Sequence, residues 1–226
     1  EQIKKYIDLN AGNDRGRIYR IVRHDYHYAR RALPGKASVR ELVEMLDHPN
    51  GWHRDTAARL ILESVQKHEG KIDLVLLHDF YRSAKTSWGK IHALRLLDSL
   101  GALQPGEIES GLADHWPAVR VHALRVAENH FAEPGTGNEL AQQASSLVVD
   151  PDSDVRYQLA LTASFLPPVN AAPALESLLA NSSDNIWMRN AVLLSSHHCA
   201  RELLEELVRK DQVSRAWPGL PRELAM

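Results

Sequence analysis

The sequence is poor in cysteine, in aromatic residues and in long apolar runs. Cys199 is the only cysteine among 226 residues, which excludes an internal disulfide framework. No run of about 18 apolar residues occurs, so no segment is expected to cross a membrane. Aromatic residues make up 6% of the chain, so the positions of its five tryptophans are informative.

A positive charge excess is also lacking. The chain has 27 lysines and arginines against 29 acidic residues, a net charge of −2. Binding to nucleic acid relies on cations that neutralise phosphates, so nucleic acid is not an expected partner. A glycine-rich phosphate loop and a Gly-x-Ser-x-Gly elbow are missing as well, even around Ser195, Ser196 and His197. We therefore expect no catalytic residue and no cofactor, and interpret the chain as non-enzymatic.

The chain contains an internal repeat. Five segments align on one basic residue, here called the anchor, and the anchors are separated by 36, 30, 36 and 33 positions. A period in the thirties predicts stacked helical hairpins. Aspartate, asparagine or proline clusters before most anchors, as at helix N-termini, and the apolar residues that follow have helical spacing. The anchors are Arg54, Lys90, Arg120, Arg156 and Arg189.

The segment Asp150-Pro-Asp-Ser-Asp-Val-Arg156 resembles a HEAT repeat. The resemblance extends over residues 36–210 and implies an all-α, HEAT-type solenoid of five to six helical hairpins. Ten or more helices are expected to stack as antiparallel pairs in a right-handed superhelix. The second helix of each repeat is predicted between anchors, at 39–46, 72–80, 108–112, 140–148 and 175–179.

The two ends of the chain have a different pattern. Residues 17–22, Arg-Ile-Tyr-Arg-Ile-Val, are typical of a short strand, and a lone strand is not stable by itself. Residues 1–35 are therefore interpreted as the remnant of a preceding propeller domain with a linker, and residues 211–226 as a C-terminal linker. The chain begins at Glu1 without an initiator methionine, so we expect a piece of a longer protein.

A narrower resemblance concerns large bacterial redox proteins, the membrane-bound dehydrogenase family. Residues 3–9 and 14–22 resemble the last strand of its sugar-dehydrogenase-like propeller, and residues 48–57, 120–125 and 187–189 resemble its repeat region. The resemblance implies a propeller before the repeats, a c-type cytochrome domain after them, and a periplasmic or extracytoplasmic location. Cys-x-x-Cys-His does not occur here, so no haem-binding or catalytic residue is carried over.

Two functions follow as expectations. The first is a non-catalytic scaffold and spacer that binds protein, either other domains of the same chain or an unknown protein. The alternative is a HEAT-like lyase that attaches bilins, although no bilin-site signature occurs. A possible interaction surface is an arginine stripe five residues after the first three anchors, at Arg59, Arg95 and Arg125. Leucines replace the arginine in the last two repeats. The competing interpretation pairs each arginine with a carboxylate on its own helix, at Glu63, Asp98 and Glu128.

Tryptophans form a second candidate surface near the start of the anchor helices. Tryptophan is enriched in binding hot spots, but it also fills the space where two helices of a hairpin meet. A core role and a binding edge both remain open at this point. The residues are Trp52, Trp88, Trp116 and Trp187.

Histidines provide two candidate metal sites. His92 and His122 both lie two residues after an anchor. They can be interpreted as a row of polar contacts between repeats or as metal ligands, and a metal would need a third ligand. Side chains of the consecutive His197, His198 and Cys199 point in different directions on a helix. We expect no metal at either place.

The anchors themselves predict contacts between repeats. We expect an inter-repeat ladder of ion pairs, with a partly buried Arg156 near its centre. Its predicted members are the arginines Arg120, Arg156 and Arg189 and the loop aspartates Asp114, Asp150 and Asp184.

Overall fold

The computed structural model describes four stretches of the chain: residues 21–27, 34–67, 74–181 and 185–210. Its contacts separate two units, Glu1–Leu33 and Pro34–Met226. In the first unit, residues 21–27 form a turn in which Tyr26 N–H donates to the Arg23 carbonyl at 3.0 Å.

Both predicted terminal segments fall mainly outside these stretches. Of the strand predicted at residues 17–22, only Ile21 and Val22 are described, and they have no strand structure. The linker predicted at residues 211–226 lies outside the described residues altogether.

The second unit is all-α in its described residues, which confirms the all-α part of the predicted fold class, while the HEAT-type solenoid stays a prediction. Eleven α-helices and no strands occur in these residues. The helices are α1 (Val39–Glu44), α2 (Gly51–Lys67), α3 (Leu74–Ser83), α4 (Ser87–Ser99), α5 (Pro105–Leu112), α6 (Pro117–Ala127), α7 (Gly137–Ser146), α8 (Ser153–Thr162), α9 (Pro168–Asn181), α10 (Ile186–Ser195) and α11 (Ala200–Arg209).

Every anchor is the fourth residue of its helix, so the prediction that each anchor begins a helix is confirmed. Polar side chains cap several of these N-termini. Asp152 accepts backbone N–H groups at the start of α8, Asn185 does so at α10, and Thr86 accepts Gly89 N–H at α4. Each cap satisfies donors that have no partner within the helix. We call α2, α4, α6, α8 and α10 the anchor helices.

The helices form two rows. Consecutive anchor helices contact one another from α2 to α10, while α1 contacts α3, α5 contacts α7, and α9 contacts both α7 and α11. Hairpin partners such as α3 and α4, or α5 and α6, connect the rows. One cluster of buried apolar residues runs between the rows and includes Leu94, Leu124, Leu159 and Leu175. Burial of this continuous apolar surface is the main stabilising term for hairpins that are too small to form a core alone.

Some predicted bounds differ from the observed ones. The helix predicted at 175–179 begins at Pro168 and ends at Asn181. Proline disrupts the interior of a helix, but at the first position its fixed φ is favourable and its missing N–H costs nothing. Pro105 opens α5 in the same way. The superhelical path and its handedness stay predictions.

Candidate interaction surface

Two anchors, Lys90 and Arg120, bind aspartates of the following repeat. Arg120 Nε and Nη2 donate to the two carboxylate oxygens of Asp150 at 2.8 and 2.7 Å, and both side chains are buried. Lys90 Nζ lies 2.6 Å from Asp114 Oδ2. The predicted inter-repeat ladder is therefore confirmed for Arg120 and Asp150, and Lys90 and Asp114 extend it by one rung.

Anchors also bind the loop that precedes their own helix. Arg120 Nη1 donates to the Asp114 carbonyl at 2.7 Å, and Arg156 Nη1 donates to the Asp150 carbonyl at 2.6 Å. Arg54 Nη1 makes the same bond to the His48 carbonyl at 2.7 Å. Each of these bonds spans six residues, so the anchor fixes the path of its own loop. Arg156 is half-buried, as predicted, but its predicted partner Asp184 lies outside the described residues.

Next to the ladder, the anchor helices share an open face. We use this name for the side that carries the residues two before and five after each anchor, which are seven positions, or about two turns, apart. All ten of these residues are exposed or half-buried: Trp52, Arg59, Trp88, Arg95, Ala118, Arg125, Asp154, Leu161, Trp187 and Leu194.

Three of the predicted tryptophans lie on this open face. Trp52, Trp88 and Trp187 have exposed fractions of 62%, 56% and 68%, so the core-packing interpretation is wrong for them. The residue just before each anchor is buried in every repeat, for example Val119 and Val155. A shift of one residue rotates a side chain by about 100°, which carries the neighbouring tryptophan away from the core.

Trp116 does not belong to the open face. It lies four residues before its anchor, at the N-cap position of α6. Its backbone N–H donates to Asp114 Oδ1 at 2.9 Å. Its half-buried ring lies against His115 with centroids 3.9 Å apart. Three of the four tryptophans therefore occupy equivalent positions, and Trp116 instead occupies the N-cap position of α6.

The three arginines of the predicted stripe lie at equivalent places on the open face, but they have different partners. Arg59 pairs with Glu63 on its own helix, as the competing interpretation predicts. Arg95 Nη1 lies 3.7 Å from Asp98 Oδ2. Arg125 forms no ion pair in the described stretches, because its Nε donates across to Gln158 Oε1 on α8 at 2.7 Å.

The same cross-helix bond joins α4 to α6. Arg95 Nε donates to His122 Nδ1 at 3.3 Å, and His122 is the repeat equivalent of Gln158. Burial lowers the pKa of His122 to about 4, with the charges of Arg95 and Arg125 acting in the same direction. Burial also lowers the pKa of His92. The predicted polar ladder is thus present at His122, and no cluster of three metal-ligating side chains occurs among the residues described.

The consecutive His197, His198 and Cys199 do not converge. They lie in the turn between α10 and α11, where His198 Nε2 bonds the Leu166 carbonyl at 2.9 Å and His197 is exposed. Cys199 is buried, and burial raises the pKa of its thiol, which keeps the sulfur protonated. The nearby Ser195 hydroxyl donates to the Leu161 carbonyl at 3.3 Å.

A groove opens on this face between α6 and α8, with a volume of about 560 Å³. One side carries His122 and Arg125, and the other carries Asp152 and Asp154. Apolar and aromatic groups lie between them. The groove residues of this kind are Pro117, Ala118, Val121, Tyr157 and Leu161.

Comparisons with known proteins assign the chain to no family. No family model matches it, and no curated protein matches it. Among solved structures, the crystal structure of an engineered protein aligns with 83% of this chain and 93% of its own, at 15% identity and a TM-score of 0.44. In the part of the chain that the structure describes, no helix is both long and apolar enough to cross a membrane.

Proposed function

We propose that this chain is a scaffold that binds another protein along its open face. The observation that carries the proposal is the repeated exposure of a tryptophan two residues before the anchor, at Trp52, Trp88 and Trp187. Large aromatic side chains on a soluble surface are enriched where a partner binds, because each offers a large rigid contact area.

The rest of the open face suits protein rather than a small molecule. Equivalent positions on successive helices make an extended surface, and repeat proteins bind their partners along such surfaces. Arginines lie on it beside the tryptophans, and these two residue types dominate binding hot spots. In a larger redox protein of the kind that the sequence resembles, this surface would dock a neighbouring domain and set its distance from the next one.

A peptide-display experiment tests the proposal. The chain is used to select from a library of random twelve-residue peptides, and the selected peptides are titrated against a Trp52→Ala, Trp88→Ala, Trp187→Ala triple variant. Loss of one hot-spot aromatic typically costs about 2 kcal/mol or more, so we expect affinity to fall by at least about tenfold.

A matched control removes exposed apolar residues that lie outside the open face. Val149→Ala, Val169→Ala and Val208→Ala together should leave peptide affinity within about twofold, since all three are exposed. Circular dichroism must show the same helix content for both triple variants. If the selected peptides bind the tryptophan variant as well as the original chain, the open face is not the binding surface and the proposal is wrong.

A further inference from the structure

We propose that the groove between α6 and α8 binds a partner segment in which a carboxylate side chain, aspartate or glutamate, lies next to an apolar residue. This inference rests on the proposed function and names the chemistry of the segment recognised at one place on the open face.

Arg125 supplies the charge. Its guanidinium is exposed, and only Nε is engaged within the described stretches, by Gln158 Oε1. Gln158 is itself held, because its Nε2 donates to Thr162 Oγ1 at 3.1 Å. The bond to Gln158 orients the guanidinium of Arg125, and its terminal nitrogens Nη1 and Nη2 can donate to a ligand. A planar guanidinium with two parallel donors matches a carboxylate.

The nearest candidate to neutralise Arg125 is already occupied. Glu128 lies three residues further along α6, where an ion pair with Arg125 is expected. Its Oε1 instead accepts the Thr162 hydroxyl at 2.6 Å, and no ion pair with Arg125 forms. Among the described residues, no carboxylate forms an ion pair with Arg125, so the arginine can still accept a carboxylate from a ligand.

His122 adds a neutral donor beside this cation. It lies three residues before Arg125, on the same side of α6, and lines the same groove. Arg95 Nε always carries a proton, so His122 Nδ1 must be the acceptor in the bond between them. The proton of the neutral ring is then on Nε2, which can donate to an oxygen of the ligand.

The groove wall explains the apolar part of the ligand. Val121 and Leu161 are half-buried and Tyr157 is exposed, and all three line the same groove as Arg125. An apolar side chain seated here removes water from the arginine and strengthens its bond with the carboxylate.

The acidic side of the groove argues against a polyanion. Asp152 and Asp154 face the cationic side across the groove, and the chain as a whole carries a charge of −2. Asp152 is engaged as the cap of α8, but its charge remains. A phosphate backbone would place negative groups against both aspartates, whereas a single carboxylate at Arg125 avoids them.

A peptide array tests this inference. Peptides of ten residues with a Gly-Ser frame carry all pairs of residues at their two central positions, and labelled chain is applied to the array. We expect the strongest signals where one central residue is Asp or Glu and the other is Leu, Ile, Val or Phe. The corresponding Gln or Asn peptides should bind at least about tenfold more weakly, because they lose the charge-assisted bonds.

The variant that decides the question is Arg125→Gln, with Arg82→Gln as its control. Both arginines are exposed, but Arg82 lies on α3, outside the open face and the groove, and pairs with Asp79. In fluorescence titrations of the best peptide, Arg125→Gln should weaken binding by at least about tenfold, and Arg82→Gln by less than about twofold.

The outcomes separate this inference from the proposed function. Peptides that depend on the tryptophans of the open face but bind Arg125→Gln unchanged would overturn the groove and leave the scaffold proposal standing. Enrichment of basic or uncharged pairs on the array would also overturn the groove. If the tryptophan variant binds every selected peptide as well as the original chain does, while Arg125→Gln binds them more weakly, the proposed role of the tryptophans is wrong and the groove stands.

Discussion

Arg120 and Asp150 form a buried, bidentate ion pair across 30 residues of sequence. Asp150 Oδ1 also accepts the Asp152 N–H at 2.9 Å, and the Asp150 carbonyl accepts Arg156 Nη1 at 2.6 Å. One aspartate thus joins the helix before it, the loop that contains it and the helix that follows. Because every oxygen in this group is bonded, the desolvation of both charges is compensated.

Arg120→Ala should destabilise the chain by about 3–5 kcal/mol, because it leaves the Asp150 carboxylate buried without its partner. Urea unfolding followed by circular dichroism measures the change. Arg82→Ala is the control, since Arg82 pairs with Asp79 on an exposed helix surface and its loss should cost at most about 1 kcal/mol. Equal losses of unfolding free energy in the two variants would show that the buried pair stabilises the chain no more than an exposed pair does.

Gly89→Ala should also be destabilising, by about 1–3 kcal/mol. A Cβ at this position would lie 2.0 Å from Asp47 Oδ1. Asp47 cannot easily move, because Lys85 N–H, Thr86 N–H and the Thr86 hydroxyl all bond its carboxylate. The close approach therefore outweighs the gain of up to about 1 kcal/mol that alanine normally brings to a helix.

Gly106→Ala is the matched control for this substitution. Gly106 is also helical, near the start of α5, but nothing lies within 4 Å of an added Cβ. We expect this variant to be as stable as the original chain or more stable by up to about 1 kcal/mol. A Gly89→Ala variant that behaves like Gly106→Ala in thermal unfolding would contradict the packing described around Asp47.

His122 should make stability depend on pH between about 6.5 and 4. In the unfolded chain this histidine takes up a proton near 6.5, whereas in the folded chain its pKa is lowered to about 4. The unfolded form binds more protons in this window, so stability falls as the pH is lowered through it. We expect His122 to account for a loss of about 1–2 kcal/mol, less than full burial would give because solvent screens the half-exposed ring.

His122→Gln isolates this contribution. Gln158 shows that glutamine at the equivalent position accepts the arginine bond, so Arg95 should keep its partner in the variant. Unfolding free energies at pH 7 and pH 4.5 should differ less in the variant than in the original chain, while the titration of other groups, including His92, affects both alike. Identical pH dependence in the two proteins would mean that His122 titrates normally in the fold.

The repeat spacing was sufficient to predict the helices that carry the candidate surface. Arg120 and Arg156 could be aligned because each follows an aspartate by six residues, and that spacing is the same one that lets an arginine reach its own loop carbonyl. Contacts that depend on the angle between helices could not be predicted in this way. Arg125 bonds Gln158, 33 residues away, rather than Glu128 on its own helix.

The tryptophans show a different limit. Trp88 and Gly89 are adjacent, yet the glycine is buried against Asp47 and the tryptophan is exposed. Helical periodicity identifies an apolar side only when several apolar residues define it, and a bulky residue next to that side is assigned to the core by its hydrophobicity alone. The position before the anchor is buried in all five repeats, but its residues range from His53 and Gly89 to Met188, so no shared apolar character marks it in the sequence.

The pairing of Lys90 and Arg120 with an aspartate one repeat ahead also bears on how a repeat chain gains or loses length in evolution. The hairpin that contains Arg120 has its own loop aspartate, Asp114, which receives Lys90 from behind, while Arg120 reaches forward to Asp150. A tandem copy of this hairpin would therefore bring both halves of the contact and meet a compatible neighbour on each side. Whole hairpins can be gained or lost by duplication or deletion without any new side chain having to arise at the junction.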